Sequence, residues 1–337
     1  MPKIAVDTGP LKSGDKYRGI GMYTKELLNA LKLEGVDAFH SNVSDYDTVH
    51  FTRFNPFLVS LPFKKSRKVK YVLTIYDLIP LIYPKHYPSG IKGFINWQIN
   101  KSLIRKNVDA IITISETSKK DICRFIGVNP DKVHVAYLAP RSIFKPMTDN
   151  KLLASVRDKF NLPEDFALYV GDVNYNKNIP VLIEACRQAK FPLVIVGKQA
   201  AEIEKMDLNH PELEHLKGIN WDSTIRPGFV PDEDLVKIYN LATLYIQPSL
   251  YEGFGLPLVE AQAVGIPVIA SKTQALVEIA GDSVLFVDPK DAKNFAEEII
   301  HVVQDKTLRD DLIRKDFENA KKYSWEKTAK DTLKVYK

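Results

Sequence analysis

Short apolar runs rich in β-branched residues alternate along this chain with longer stretches whose apolar positions recur every three to four residues. These two periods separate buried strands from covering helices. The pattern predicts strands at 4–6, 48–51, 69–75, 110–114 and 133–136, and helices from about 21 to 33, at 91–106 and at 116–126. Periodicity breaks over 145–150, where a linker is placed. Beyond it, strands are expected at 167–170, 193–196, 244–247, 268–271 and 284–287, with helices at 179–189, 232–241, from 256, at 292–304 and at 308–322. A helical tail over 324–336 closes the chain, with Ser324 in the position of an N-cap. Such alternation gives mostly parallel sheets covered on both faces, so the expected class is α/β. Two parallel α/β domains, 1–147 and 148–322, are followed by the tail 323–337. Loops at the carboxyl ends of parallel strands bind ligands, and a pair of such domains makes a cleft the expected place for a site.

The length of 337 residues fits two domains of ordinary size, and a 45% hydrophobic and 26% charged composition excludes disordered and fibrous classes. Two cysteines, Cys123 and Cys186, are too few for a disulfide framework or a thiolate zinc site, and favour a reducing compartment. The opening MPKIAVDTGP has too short an apolar core for a signal peptide, and the most apolar later stretch, 72–84, is broken by Asp77 and two prolines. A cytoplasmic protein without a membrane span is therefore expected.

Charge divides unevenly. Residues 1–149 hold 23 Lys and Arg against 13 Asp and Glu, a surplus of ten, while the remainder is acidic by five. A basic first half suits an anionic partner: a phosphorylated acceptor, an anionic membrane surface or nucleic acid. The densest run, KKSRKVK at 64–70, follows Phe57, Leu58, Val59, Leu61 and Phe63, a pairing of apolar and basic residues that permits peripheral contact with an anionic membrane at its inner face.

The segment QPSLYEGFGLPLVEA (247–261) carries the chemistry. It reads as a strand, a loop and a helix start, in which Gly253 and Gly255 let backbone approach a ligand and Pro257 suits a first helical turn. Amides at such a helix start cradle phosphate or sugar oxygens. A carboxylate accepts two hydrogen bonds at fixed spacing, so one of Glu252 and Glu260 suits a ribose diol and the other the hydroxyls of a hexose. The plainer alternatives are a solvated loop residue at Glu252 and a helix-dipole partner at Glu260.

The stretch EGFGLPLVEAQAVGIPVIAS (252–271) resembles the signature of the retaining glycosyltransferases of GT-B family 4, the glycosyl transferase group 1. The likeness extends to GFVPDEDLVKIYNLA (228–242), to LVEIAGDSVLFVDPKD (276–291), to Tyr169-Val170-Gly171 with Lys177-Asn178, and to the closing Tyr323-Ser324-Trp325-Glu326. In the first half it rests on RGIGMYT (18–24), DLIP (77–80) and ISETSKKDI (114–122). The resemblance implies two Rossmann-like domains facing across a cleft, a C-terminal helix returning to the first domain, and transfer of a hexose from a nucleotide-sugar to a glycan, lipid-linked or small hydroxyl acceptor. It further implies that Glu260 holds the ribose and Glu252 the transferred sugar. Gly171 and the amides of Gly253, Phe254, Gly255 and Leu256 line sugar and phosphates, Lys177 neutralises the diphosphate, and Gly21 contacts it from the first domain.

Two departures stand out. Many members carry an arginine where this chain has Asp172, for which Arg226 is a candidate substitute, and many carry histidine where this chain has Tyr76. Tyr76 weakens a proton-transfer role there. Asp77 is expected to position the acceptor or to cap the following turn, with Arg53, Asn55 and Tyr76 as further acceptor contacts.

Other constellations carry less. Asp45-Tyr46-Asp47 precedes a strand rather than ending one, and His210 and His215 straddle Pro211, so no metal site is expected. Gly19-Ile20-Gly21 has Thr24 where a dinucleotide fingerprint needs glycine, which disfavours a nicotinamide; the nucleotide-sugar is a co-substrate and no cofactor is expected. The rival readings are a GT-B nucleotide-sugar epimerase or hydrolase, and a nonenzymatic sugar-nucleotide or nucleic-acid binder. The basic half lacks the interleaved aromatics expected for nucleic-acid stacking.

Overall fold

The computed structural model describes residues 3–12, 14, 19–34 and 46–337; Arg18 and Asp45, named above, lie outside the described residues. The chain divides into two compact units, 1–139 with 323–337, and 140–322. The first unit comprises β1 (Ile4–Val6), α1 (Gly9–Lys12), α2 (Gly19–Leu33), β2 (Thr48–Phe51), β3 (Lys70–Thr74), α3 (Ile79–Ile82), α4 (Gly90–Asn107), β4 (Ala110–Thr113), α5 (Glu116–Ile126) and β5 (Val133–Val135). Among the described residues the strands pair in parallel in the order β1-β2-β3-β4-β5. Leu73, Ile111 and Val133 send side chains to the face covered by Trp97, Leu103 and Ile104 of α4 and by Ile122 and Ile126 of α5.

The second unit continues with α6 (Asn150–Phe160), β6 (Ala167–Val170), α7 (Ile179–Ala189), β7 (Leu193–Val196), α8 (Lys198–Ala201), β8 (Thr224–Gly228), α9 (Asp232–Leu241), β9 (Leu244–Gln247), α10 (Leu256–Val264), β10 (Val268–Ser271), α11 (Gln274–Ala280), β11 (Leu285–Val287), α12 (Ala292–Gln304) and α13 (Lys306–Ala320). Its strands are ordered β11-β10-β9-β6-β7-β8. Alternate residues Ala167, Tyr169, Leu193, Ile195, Leu244, Ile246 and Ile269 join one core with Leu182 of α7 and Phe295 and Ile299 of α12. Tyr245 faces the other way and stacks on Tyr239 of α9, ring centroids 5.8 Å apart. Both faces are thus buried, which is why these strands read as continuous apolar runs.

Residues 140–147, expected with the first domain, pack within the second unit. Phe144 lies edge-on to Tyr239 at 5.2 Å, and the Met147 amide donates to Asn240 Oδ1 at 2.7 Å. The chain then returns: α14 (Trp325–Tyr336) belongs to the first unit and packs on α2. Ser324 caps it as expected, accepting from the Lys327 amide at 3.1 Å. Its end is pinned by His50, whose Nδ1 meets the Tyr336 hydroxyl at 2.6 Å and whose Nε2 meets Thr74 Oγ1 at 2.7 Å. Burial drives the His50 pKa down to about 3, so this junction is uncharged at neutral pH.

Candidate active site

In the second sheet the chain moves outward from β6 through β7 to β8, then returns to place β9 against the other side of β6. The carboxyl ends of β6 and β9 therefore flank the switch point, where open parallel sheets bind ligands. Close packing of the strand ends depends on glycine: Gly171 has φ +152°, and a Cβ on Gly197 would stand 2.1 Å from the Gly171 carbonyl oxygen.

Two loops leave this point and are laced together. The Leu250 amide donates to the Asn176 carbonyl at 2.8 Å, Asn176 Nδ2 donates to the Tyr251 carbonyl at 3.0 Å, and Asn178 Nδ2 reaches the Pro248 carbonyl at 2.9 Å and that of Pro289 at 2.7 Å. Between the two asparagines, Lys177 Nζ meets Glu252 Oε1 at 2.8 Å and Oε2 at 3.0 Å. Glu252 is buried, and its Oε1 also accepts from Gln247 Nε2 at 2.8 Å and Ser249 Oγ at 2.6 Å. Gln247 is itself oriented by the Tyr245 hydroxyl, which donates to its Oε1 at 2.5 Å. Three donors thus occupy Oε1, and the spare accepting capacity of the carboxylate lies on Oε2.

The loop runs into α10 through Gly255, at φ +96°, where a Cβ would lie 2.6 Å from Leu276 Cδ2. Phe254 is buried, and Pro257 sits in the first turn of α10 as its residue type suggests. The first-turn amides of α10 point back toward the 248–255 loop.

One helical turn further on, Glu260 is buried and meets a residue that the motif did not flag. Arg141 directs Nε and Nη2 to Glu260 Oε1, each at 3.3 Å, and Nη1 to Asp232 Oδ2 at 2.6 Å, with its guanidinium 4.8 Å over the Phe144 ring. Burial raises the Glu260 pKa to about 7, against the opposing pull of the Arg141 charge. The Tyr239 hydroxyl, which donates to the Pro257 carbonyl at 3.4 Å, lies close to the same carboxyl, and burial raises its phenol well above the ordinary value. The dipole-partner and solvated-loop alternatives fit neither glutamate, since both are buried and paired.

Arg226 has other partners. It lies on β8, the edge strand two places from β6 and so about 10 Å across the sheet. Its Nη1 bonds Glu204 Oε1 at 2.6 Å and the Ala200 carbonyl at 3.0 Å, and its guanidinium lies 5.5 Å from the centre of the Trp221 ring. Asp172 offers its carbonyl to the Tyr169 hydroxyl at 2.8 Å.

The remaining candidates lie in the first unit. Helix α2 begins at Gly19, so Gly21 is a buried residue of its first turn rather than part of a preceding loop. Asp77 Oδ1 accepts from the Ile79 amide at 3.1 Å, closing a turn ahead of α3, whose N-cap position is Leu78. The Tyr76 hydroxyl donates to the Thr52 carbonyl at 2.8 Å, and its ring meets Tyr23 edge-on at 5.1 Å. Arg53 and Asn55 are exposed, and Asn55 Oδ1 holds the Phe57 amide at 2.8 Å.

Comparison with known proteins places this geometry. The family model "Glycosyl transferases group 1" matches residues 154–319, and "Glycosyltransferase Family 4" matches 10–139. O-antigen chain mannosyltransferase B of Escherichia coli is 30% identical over 284 residues, which cover 82% of this chain and 72% of that protein. A serotype-specific mannosyltransferase, WbdA, of the same organism is 29% identical over 77% of this chain, and the match spans 32% of that longer protein. Among solved structures, Anabaena Alr3699/HepE in complex with UDP-glucose superposes with TM-score 0.69 at 16% identity, over 99% of each chain. WaaG, a glycosyltransferase involved in lipopolysaccharide biosynthesis, superposes with TM-score 0.65 at 13% identity, over 94% of this chain and 96% of that one. These structural likenesses establish the GT-B fold. Two family models, together with a relative 30% identical over 82% of this chain and 72% of its own length, show the family: the chain belongs to glycosyltransferase family 4 and is an enzyme that transfers a sugar.

Proposed function

We propose that the enzyme moves a hexose, with retention and without a metal ion, from a nucleotide-sugar to a hydroxyl of a glycan or lipid-linked acceptor. The observation that carries this reading is the Lys177–Glu252 pair, 2.8 Å apart on two loops laced together at the switch point of the second sheet. In this reading Glu252 Oε2 accepts from hydroxyls of the transferred sugar and Glu260 grips the ribose diol. An ammonium carries three protons, of which Glu252 takes two, and the third is aimed at the diphosphate. Negative charge grows on the diphosphate as the glycosidic bond breaks, so a fixed ammonium together with amides at Gly171 and at Gly253, Phe254, Gly255 and Leu256 lowers the barrier. The departing phosphate takes the acceptor's proton on the same face, and no general base is required. The remaining candidates belong to the first unit: Gly21 for phosphate oxygens, and Arg53, Asn55, Tyr76 and Asp77 for the acceptor.

The Escherichia coli relatives named as mannosyltransferases make GDP-mannose the first donor to test, with UDP-glucose, held by the Anabaena protein, as the second. A thermal-shift panel of nucleotide-sugars decides between them, because a ligand at 100 times its Kd stabilises the folded chain by about 2.7 kcal/mol. Product analysis with an added alcohol acceptor then separates transfer from hydrolysis or epimerisation. A chain that no nucleotide-sugar stabilises, or that consumes the donor without forming a glycoside, overturns the proposal.

A further inference from the structure

Helix α4 presents two apolar stripes, and only one of them faces the core. Trp97, Leu103 and Ile104 are buried, whereas Ile91, Phe94 and Ile95, spaced for one helical face, are each more than half exposed, Ile91 at 84%. Further along the outer face come Gln98, Lys101, Ser102, Arg105 and Lys106, which line a shallow basic depression. The outer surface is thus apolar at the amino end and cationic over the following stretch of about 12 Å.

A second segment is fastened alongside. Asn96 Nδ2 donates to the Phe57 carbonyl at 2.9 Å, and Asn100 Nδ2 donates to the carbonyls of Pro56 and Leu58, both at 3.0 Å. Asn107 Nδ2 donates to the Pro62 carbonyl at 3.0 Å. These bonds hold residues 56–62 against the helix and leave Leu58 and Phe63 exposed, Phe63 at 71%. Of the apolar residues expected to touch a membrane from the sequence, Leu61 is buried, and Phe57 and Val59 pack on the core.

Charge decides what this surface fits. Residues 53–108 contain eleven Lys and Arg and a single acidic residue, Asp77. A second copy of the chain would set this patch against itself, cation upon cation, because a two-fold interface is self-complementary. An anionic bilayer answers both halves: Ile91, Phe94, Ile95, Leu58 and Phe63 enter the headgroup boundary while the lysines and arginines beside them meet lipid phosphates. We infer that the outer face of α4 with the segment 56–68 is a docking surface for an anionic lipid bilayer. It extends the proposed reading on the acceptor side, bringing the enzyme to lipid-linked hydroxyls. Vesicle binding needs no donor, so either reading can fail alone.

The test is sedimentation of the full chain at low salt with phosphatidylcholine vesicles, with or without about one third phosphatidylglycerol. Wild type is expected to pellet with the anionic vesicles only. Lys64→Gln/Lys68→Gln/Lys106→Gln removes three exposed cations, each worth about fivefold in partitioning, and should weaken binding roughly a hundredfold. Phe94→Ser/Ile95→Ser should lower it at least about tenfold, leaving the weaker, salt-released attraction of the lysines. All these side chains are exposed, so folding is not at stake, and donor hydrolysis should be unchanged in both variants. Wild type that stays in the supernatant with anionic vesicles overturns the inference, as do variants that pellet like wild type. A dimer in analytical ultracentrifugation that Phe94→Ser/Ile95→Ser dissolves also overturns it, and assigns the face to a second copy.

Discussion

Replacing Arg141 by methionine is expected to raise the KM for the donor and make it steeply pH-dependent, with little change in kcat. Glu260 is buried, and its pKa is already raised to about 7 with Arg141 pointing two N–H groups at one of its oxygens. An adjacent arginine lowers a carboxyl pKa by about 1–3 units, so its loss lifts Glu260 by a similar amount. At pH 7 the ionised fraction then falls from about half to about a tenth for one unit and about a hundredth for two, which raises the donor KM roughly fivefold to fiftyfold. Because the ribose contact persists from ground state to transition state, kcat moves little. The assay is steady-state kinetics from about pH 6 to about 9, where a one-unit shift is largely rescued at the alkaline end. Thermal melts run alongside, since removing one partner of a buried pair destabilises by about 3–5 kcal/mol. A KM within twofold of wild type at pH 7 refutes the argument.

The same carboxyl links to stability. A folded-state pKa raised from 4.5 to about 7 means that the folded chain binds the proton more tightly than the unfolded one, so stability falls as pH climbs through that window. The loss reaches about 3 kcal/mol, and Glu260→Gln is expected to flatten the slope of melting temperature against pH between those values.

Three further outcomes test the site. Lys177→Ala should lower kcat by about 10²–10³ through loss of the charge opposite the diphosphate, and turnover within a few-fold of wild type contradicts that role. Activity should survive EDTA, and loss restored by magnesium or manganese would sink the metal-free reading. Gly255→Ala should destabilise the chain by at least about 1–2 kcal/mol, because φ +96° and the Leu276 methyl 2.6 Å from the new Cβ both oppose it; an unchanged melting temperature shows that the loop relaxes.

What was legible in this sequence was local. Strands such as β6, β7, β9 and β10 announce themselves because both faces are buried, and α10 because Gly255 and Pro257 mark its start within two positions. The strand β8 hid because an edge position tolerates Arg226, Pro227 and Gly228. No element is assigned from the sequence to α6, which begins where the linker at 145–150 ends, although Leu152, Leu153, Val156 and Phe160 recur at helical spacing.

The pairings that make the site are of another kind. Lys177 meets Glu252 across 75 residues and Arg141 meets Glu260 across 119, distances over which no spacing rule operates. The first pair was reachable because both partners sit in recognisable loops. The second was not, because Arg141 lies in a segment whose charge looks like any surface arginine until the fold brings it to a buried carboxylate. The same limit explains α4: periodicity marks Ile91, Phe94 and Ile95 as one stripe and Trp97 and Ile104 as another, but cannot say which one the sheet covers. The exposed stripe lies in a region with a single carboxylate among eleven cations, and in water that arrangement gains nothing from either property. Apolar side chains cost free energy in solvent and like charges repel. Both are relieved together only against a surface that is at once apolar below and anionic above, which is the physical description of an acidic lipid bilayer.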